Sequence, residues 1–188
     1  MTSQFVSRLK LAASGRNVLI FLVLAMSVYS TMIIYTIPGV NKYAPHMELF
    51  DLSPMGYTFS YSMRLLEALG VAGRDTYLYT QLPLDFVYPA LFAISFCLLM
   101  AWVISKGTTR NLGVYYVCVL PIVVGILDYL ENIQIILMIR AYPDITERQV
   151  MLASVTTVGK SVLTTLFFVI MVVSILRILW VRRLGNIE

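Results

Sequence analysis

The sequence predicts an all-α fold, an integral membrane four-helix bundle with a long outer loop that contains a short amphipathic helix. Composition is the first indication, because the 188 residues are 59% hydrophobic and only 13% charged, whereas soluble domains carry about 25% charged residues. The second is that four apolar stretches are long enough to cross a hydrocarbon core, which takes about 20 helical residues. The net charge of +4 does not indicate a nucleic-acid partner, because the basic residues flank the apolar stretches.

The chain is expected to form a single transmembrane domain over residues 1–188. The four spans are predicted at residues 18–37, 84–104, 112–139 and 150–181. The first span follows basic residues, but its apolar run is longer than that of a signal peptide and lacks a small-x-small cleavage site, so a retained helix is expected. Residues 38–83 then form the outer loop.

The distribution of lysine and arginine predicts that both termini are cytoplasmic. Cytoplasmic segments carry an excess of these residues. Eight flank the spans on one side, against the single acid Glu188, and five lie in the other two loops against six acids. The eight are Arg8, Lys10, Arg16, Lys106, Arg110, Arg177, Arg182 and Arg183. A multi-pass protein of the plasma (inner) membrane is therefore predicted, with the lipid bilayer as its first partner.

Three local patterns predict helices outside the spans. In the outer loop, Ser53-Pro54 can open a helix and Gly70 can close it, with Phe59, Met63 and Leu66 on one face. This helix would be either a passive interfacial element or a gating lid. The segment from Asp144 to Glu147 resembles a capping box, so the last helix should begin outside the membrane. Apolar residues among basic ones near the N-terminus fit either an interfacial helix or a disordered tail.

Ionisable side chains inside the spans are the candidate functional residues. Asp85, Asp128, Glu131, Asn132 and Lys160 are predicted at similar depth in the outer third of the membrane. The third-span residues are spaced i, i+3, i+4 and so share a helix face. Thr157, Lys160, Ser161 and Thr164 form a polar stripe on the last span, and Ser27, Ser30 and Thr31 form another on the first. All four helices would then offer polar groups to one outer cavity.

Burying these charges has a cost that requires compensation. A charged residue at the centre of a membrane helix costs about 2.5 to 3.5 kcal/mol on insertion scales. Lys160 can neutralise only one of the three carboxylates, which leaves two to be protonated, hydrated or bound to a cation. The candidate ligand- or ion-binding residues are Asp85, Asp128, Glu131, Asn132, Lys160, Thr157 and Ser161. No cofactor or catalytic residue is identified, and metal binding stays open.

Four short motifs in order along the chain carry a family resemblance. They are Gly73-Arg74-Asp75-Thr76-Tyr77, the Asp85 and Pro89 pair, Asp128-Tyr129-Leu130-Glu131-Asn132, and Lys160 in the last span. This order resembles that of an uncharacterised four-span integral membrane protein family. The resemblance implies that these residues belong together, and it implies no activity.

Three functions remain open at this point. The first is binding or transport of a cation, a proton-coupled solute or an amphiphilic ligand such as a lipid, in which case a homo-oligomer would provide a permeation path wider than four helices allow. The second is an intramembrane acid/base enzyme acting on a lipid or isoprenoid, with Glu131 or Asp128 as the acid or base. The third is a structural accessory subunit whose charges clasp helices together.

Overall fold

The computed structural model of the protein describes residues 2–107 and 112–184, and these residues form an all-α fold without strands. Arg110 and Glu188, which enter the topology prediction, lie outside the described residues. The described residues form six principal helices and four shorter helical segments between them. The principal helices are α1 (Thr2–Ala12), α2 (Gly15–Asn41), α3 (Phe59–Thr76), α4 (Tyr88–Ser105), α5 (Leu120–Ala141) and α6 (Glu147–Leu184).

Four helical stretches are long and apolar enough to span a membrane, which confirms the predicted fold class. They are Gly15–Asn41, Phe59–Ser105, Leu112–Ala141 and Glu147–Val181. Each extends beyond the span predicted from the sequence, because helix continues past the apolar segment. At 1.5 Å per residue the 38 residues of α6 measure about 57 Å, nearly twice a hydrocarbon core of about 30 Å.

The predicted outer loop is largely helical, and its helix begins later than expected. Ser53 is not the N-cap, since its hydroxyl donates to the Leu49 carbonyl at 2.9 Å. Thr58 caps α3 instead by accepting a hydrogen bond from the Tyr61 N–H at 3.2 Å. The predicted break at Gly70 is present, with φ of 59° and ψ of −173°. Glycine adopts this backbone conformation without the steric cost that a side chain would add.

The first part of α3 is amphipathic, as predicted, but its buried face is rotated from the expected one. Leu65, Leu66 and Leu69 are fully buried, whereas Phe59 and Met63 are half-buried. The buried leucines pack in one core with residues of α2 and α5. The helix therefore covers the mouth of the bundle.

The start of α6 differs from the prediction by two residues. Thr146 and Gln149 form the capping box, because the Gln149 N–H donates to the Thr146 hydroxyl at 3.2 Å and the Thr146 N–H donates to Gln149 Oε1 at 2.8 Å. Asp144 and Glu147 resemble a capping box in sequence, but the capping hydrogen bonds are formed by Thr146 and Gln149. Asp144 instead lies in the connection, where its N–H bonds the Ala141 carbonyl at 2.7 Å.

The N-terminal segment forms the helix α1 and is not a disordered tail, while its position at a membrane interface stays a prediction. Val6 is 4% exposed and packs with residues of α4. Lys10 lies over the Tyr115 ring, with Nζ 5.0 Å from the ring centroid. Leu11 is 82% exposed.

The bundle packs in the order α2, α4, α5, α6, with each helix against the next. Gly125 of α5 lies so close to α4 that a Cβ there would be 2.9 Å from the Pro89 carbonyl oxygen. Two buried cores result. The loop-end core lies beneath α3 and the 42–58 connection. The tail-end core lies beneath α1 and contains the aromatic rings of α4 and α6.

Candidate functional site

A lysine from α6 bridges two carboxylates of α5. Lys160 Nζ is 3.0 Å from Asp128 Oδ1, and it also donates to Glu131 Oε2. The Thr157 hydroxyl donates to the other Glu131 oxygen, Oε1, at 2.5 Å. Glu131 and Thr157 are fully buried. The i, i+3 spacing on each helix places both residues of each pair on the facing surfaces, so one ammonium contacts two acids.

Asp85 and Asn132 lie beside this bridge. Asp85 ends the short helix Leu82–Asp85 and is 4% exposed. Its backbone carbonyl accepts from Asn132 Nδ2 at 3.0 Å. Within the described residues, the Asp85 carboxylate forms no salt bridge and no hydrogen bond. Asn132 Oδ1 is buried and also lacks a hydrogen-bond partner there. Among the described residues, Asn132 Oδ1 is therefore a buried acceptor without a donor, and it lies beside the largely buried Asp85.

Not every predicted polar residue joins the cluster. Ser161 is half-exposed, and its hydroxyl makes no contact with the carboxylates among the described residues. The expectation for the first span was wrong, because Ser27, Ser30 and Thr31 are exposed and α2 turns Ala25 and Met32 towards the bundle. The Ser27 and Thr31 hydroxyls instead donate to carbonyls of their own helix at 2.8 and 2.9 Å.

A further acid, Asp51, enters the site from the 42–58 connection and was missed by the sequence analysis. It lies in the 3₁₀ turn Phe50–Leu52, and its Oδ1 accepts a hydrogen bond from the Tyr77 hydroxyl. Gln81 Nε2 is 3.5 Å from its other carboxylate oxygen. Thr36 of α2 in turn donates to Gln81 Oε1. A single sequence gives little signal for this role, since Asp51 resembles any solvated loop acid.

The partners of Asp51 come from two π-helical turns, Met32–Thr36 and Tyr77–Gln81, which contact each other. π-helical turns are rare in proteins overall, and those that occur are often found at functional sites. Here they add an extra residue to α2 and to the segment before α4. Thr36 and Gln81 are thereby brought to the same polar chain.

Electrostatics connect Asp51 to the lysine bridge. Burial raises the pKa of Asp51, and the charge of Asp128 adds to this rise. The Tyr77 hydrogen bond and the charge of Lys160 oppose it. Asp51 thus feels the same charges as the residues of α5 and α6. The site contains four carboxylates and one ammonium, which is one acid more than the spans alone provide.

Aromatic residues separate this polar cluster from the mouth of the bundle. Phe50 is fully buried, and its ring lies 4.8 Å from that of Tyr57 and 6.5 Å from that of Tyr77, centroid to centroid. The Tyr57 N–H donates to Ser154 Oγ at 2.9 Å. Its hydroxyl is buried and lacks a hydrogen-bond partner among the described residues. Burial raises the pKa of Tyr57, and the negative charge of Glu131 adds to the rise.

The motif from Gly73 to Tyr77 has a structural explanation. A Cβ on Gly73 would be 2.9 Å from Tyr43 Cβ, so only glycine allows this contact. Arg74 Nη1 donates to the Leu66 carbonyl at 2.6 Å, and its guanidinium lies 4.5 Å from the centre of the Tyr142 ring. The Gly70 break leaves carbonyls of the preceding turn without helical partners, and Arg74 binds one of them. The motif therefore positions Tyr77 against Asp51.

An open cleft of about 240 Å³ lies at the mouth of the bundle between the start of α3 and the first turns of α6. Phe59, Val150 and Val155 give it apolar walls, Tyr57 lines it towards the cluster, and Glu147 lines it at the start of α6. Gly56, with φ of 80°, allows the chain to approach α6 beside it.

No group of three or more His, Cys, Asp or Glu side chains arranged to hold a metal ion occurs in residues 2–107 and 112–184. Comparison of the chain with models of known protein families, with curated proteins and with solved structures finds no match. The family resemblance carried by the four motifs therefore stays a prediction.

Proposed function

We propose that this membrane protein binds a small cation in the buried polar cluster and exchanges it for a proton. The site is formed by Asp85, Asp128, Glu131 and Asn132, with Lys160 as the fixed positive charge. One observation carries the proposal: Lys160 is shared by Asp128 and Glu131, while the carboxylate of the buried Asp85 has no cationic or hydrogen-bonding partner in residues 2–107 and 112–184.

The charges of the cluster support proton exchange. With Asp51 from the 42–58 connection, the cluster has four carboxylates and the ammonium of Lys160. These groups would leave a formal charge of −3 if all were ionised. Isolated buried charges of this kind are very costly, so such groups bind protons or cations instead. A bound cation would neutralise the same excess that protons neutralise in its absence. Binding of the cation would then release a proton.

Oxygen acceptors are available for such a cation. Asn132 Oδ1 is buried without a donor in the described part of the chain, and it belongs to the residue whose amide group donates to the Asp85 backbone. Carboxylate and amide oxygens are the ligands preferred by hard cations. A protonated Asp85 would be a donor for such an acceptor, whereas an ionised Asp85 would add a further acceptor for a cation.

The test is proton release on cation binding. Purified protein in nanodiscs, in weakly buffered solution with a pH-sensitive dye, is titrated with sodium, potassium and methylammonium chlorides at constant ionic strength. We expect at least one of these cations to release protons in a saturable manner, and Asp85→Asn to abolish the release. Glu67→Gln, which changes an exposed acid of α3, is the matched control and should leave the release unchanged. Absence of saturable release with all three cations would refute the proposal.

A structural clasp is the second candidate, and the contact of Lys160 with both Asp128 and Glu131 favours it. In that case the acids hold α5 and α6 together and bind nothing else. A Lys160→Met, Glu131→Gln double variant that regained the stability of the wild type and kept the cellular function would support the clasp and argue against the cation site.

A further inference from the structure

The cleft between α3 and α6 lies next to the polar cluster, and Tyr57 and Thr157 lie between them. Tyr57 lines the cleft. Its hydroxyl is buried, and Thr157, Glu131 and Lys160 lie close enough to influence its pKa. The Thr157 hydroxyl contacts Glu131 directly, at 2.5 Å. A path from the cleft to Glu131 therefore passes only the Tyr57 ring and the Thr157 side chain.

The buried Tyr57 hydroxyl is an unpaired polar group on this path. It has no hydrogen-bond partner within the described part of the chain, and leaving such a group buried is unfavourable. The residue itself is 9% exposed and is held by its backbone N–H on Ser154. The hydroxyl is thus positioned to bond a group that arrives from the cleft.

The lining of the cleft indicates the chemistry of its ligand. Phe59, Met151 and Val155 provide apolar contact, and Glu147 contributes the one carboxylate of the lining. The excess carboxylates lie behind Tyr57. Glu147 and the excess carboxylates of the cluster both attract cations, and the apolar walls favour a ligand with a hydrocarbon part. A volume of about 240 Å³ accommodates a small arylalkyl or alkyl group.

We propose that the cleft is a binding site for a small organic ammonium ion with an apolar body, and that it is the entrance to the polar cluster. This inference rests on the proposed function in one respect, since it takes an organic ammonium as the cation that the cluster binds. The apolar part would contact Phe59, Met151 and Val155. The ammonium group would lie between Glu147 and the Tyr57 hydroxyl before it reaches Glu131.

Single cysteines test the cleft without any assumption about the cluster. Val155→Cys places a thiol in the cleft, and Leu152→Cys places one on the same helix outside the lining. Both positions are accessible, since Val155 is 64% exposed and Leu152 is 50% exposed. The native Cys97 and Cys118 are buried and provide a low background. Labelling rates are measured with a cationic trimethylammonium-ethyl and an anionic sulfonato-ethyl methanethiosulfonate. We expect the ratio of cationic to anionic rate to be about fivefold higher at position 155 than at position 152, as for a nearby negative charge.

Two further measurements complete the test. Adding Glu147→Gln should lower the ratio at position 155 and leave it unchanged at position 152. Phenethylammonium should protect position 155, and not position 152, from a neutral methanethiosulfonate. Equal rate ratios at the two positions, or no protection by phenethylammonium, would overturn the inference.

The outcome separates this inference from the proposed function. Protection at position 155 without proton release would leave the cleft as a binding site and refute proton exchange in the cluster. Proton release with sodium or potassium, combined with no protection at position 155, would retain the cluster and refute the cleft as its entrance.

Discussion

The two ends of the bundle are built from the same helices but are stabilised by different interactions. At the tail end, Phe92 and Phe96 of α4 meet Phe167 and Phe168 of α6, with ring centroids 5.2 to 6.3 Å apart. Of the polar side chains buried in the described residues, only Ser95 lies in this half, and its hydroxyl donates to the Leu91 carbonyl. At the loop end, α6 meets α5 through Lys160 and two carboxylates.

The contrast indicates where function lies. Helices in a bilayer associate mainly through van der Waals packing and hydrogen bonds, since lipid tails are as apolar as the side chains. The aromatic packing at the tail end is sufficient for that purpose. Burying the loop-end acids therefore costs free energy that helix association does not require. This excess charge is the basis of the proposed cation-binding and proton-exchange site.

Removing the shared ammonium is predicted to have the largest effect. Lys160→Met leaves Asp128 and Glu131 buried without their counter-charge, and breaking a buried ion pair costs about 3 to 5 kcal/mol. The loss should be smaller in acid, where the carboxylates bind protons. Unfolding in bicelles, followed at neutral and acidic pH, measures it. Ser161→Ala, one residue further along α6, should change stability by less than about 0.5 kcal/mol. A loss from Lys160→Met as small as this would show that the bridge carries no charge compensation.

The tail-end counterpart is Phe167→Ala, which removes a fully buried ring from the aromatic core. Large-to-small core substitutions of phenylalanine cost about 3 kcal/mol through lost contacts and the cavity that remains. Because no acid lies in that core, the loss should be the same at neutral and acidic pH. Unfolding at both pH values tests this. A clear pH dependence would contradict the division of the bundle into a charged and an apolar half.

The close contact between α4 and α5 gives a matched pair of glycine substitutions. Gly125→Ala places a Cβ 2.9 Å from the Pro89 carbonyl and should cost about 1 to 3 kcal/mol, because the helices must separate. Gly159→Ala meets nothing within 4 Å and should be neutral or stabilising by up to about 1 kcal/mol, as alanine favours helix. Thermal unfolding distinguishes them. Equal effects of the two substitutions would refute the close contact.

The smallest predicted effect is a change in pH dependence at Asp51. Burial raises its pKa in the folded state, so its contribution to stability is complete below the unfolded-state pKa of about 3.9 and is lost as pH rises through the higher folded value. Asp51→Asn, which does not titrate, should therefore reduce the loss of stability between acidic and mildly alkaline pH by about 1 kcal/mol. Glu67→Gln should leave that loss unchanged. An unaltered pH profile in Asp51→Asn would contradict the raised pKa.

Much of the architecture could be predicted from the sequence because it depends on local patterns. Span length and hydrophobicity indicate the four membrane helices. The i, i+3 spacing of Asp128 with Glu131 and of Thr157 with Lys160 places each pair on one face, and the structure brings these faces together. The break at Gly70 follows from a backbone conformation that glycine favours.

The remaining features depend on tertiary contacts that a single sequence does not specify. The rotation of α2, which leaves Ser27 and Thr31 exposed, follows from packing against α4. Asp51 reaches the site through a 3₁₀ turn and two π-helical turns, none of which has a distinctive sequence pattern. The capping box was expected at Asp144, and the hydrogen bonds place it at Thr146.

The central claim is that the loop-end cluster carries more acid than Lys160 can neutralise and therefore holds a proton at neutral pH. Infrared difference spectroscopy of the protein in nanodiscs, exchanged into heavy water, observes the C=O stretch of protonated carboxyl groups directly. The account predicts such a band at neutral pH in the absence of added cation, its loss in Asp85→Asn, and its persistence in Glu67→Gln. A spectrum without any protonated carboxyl band at neutral pH would contradict it.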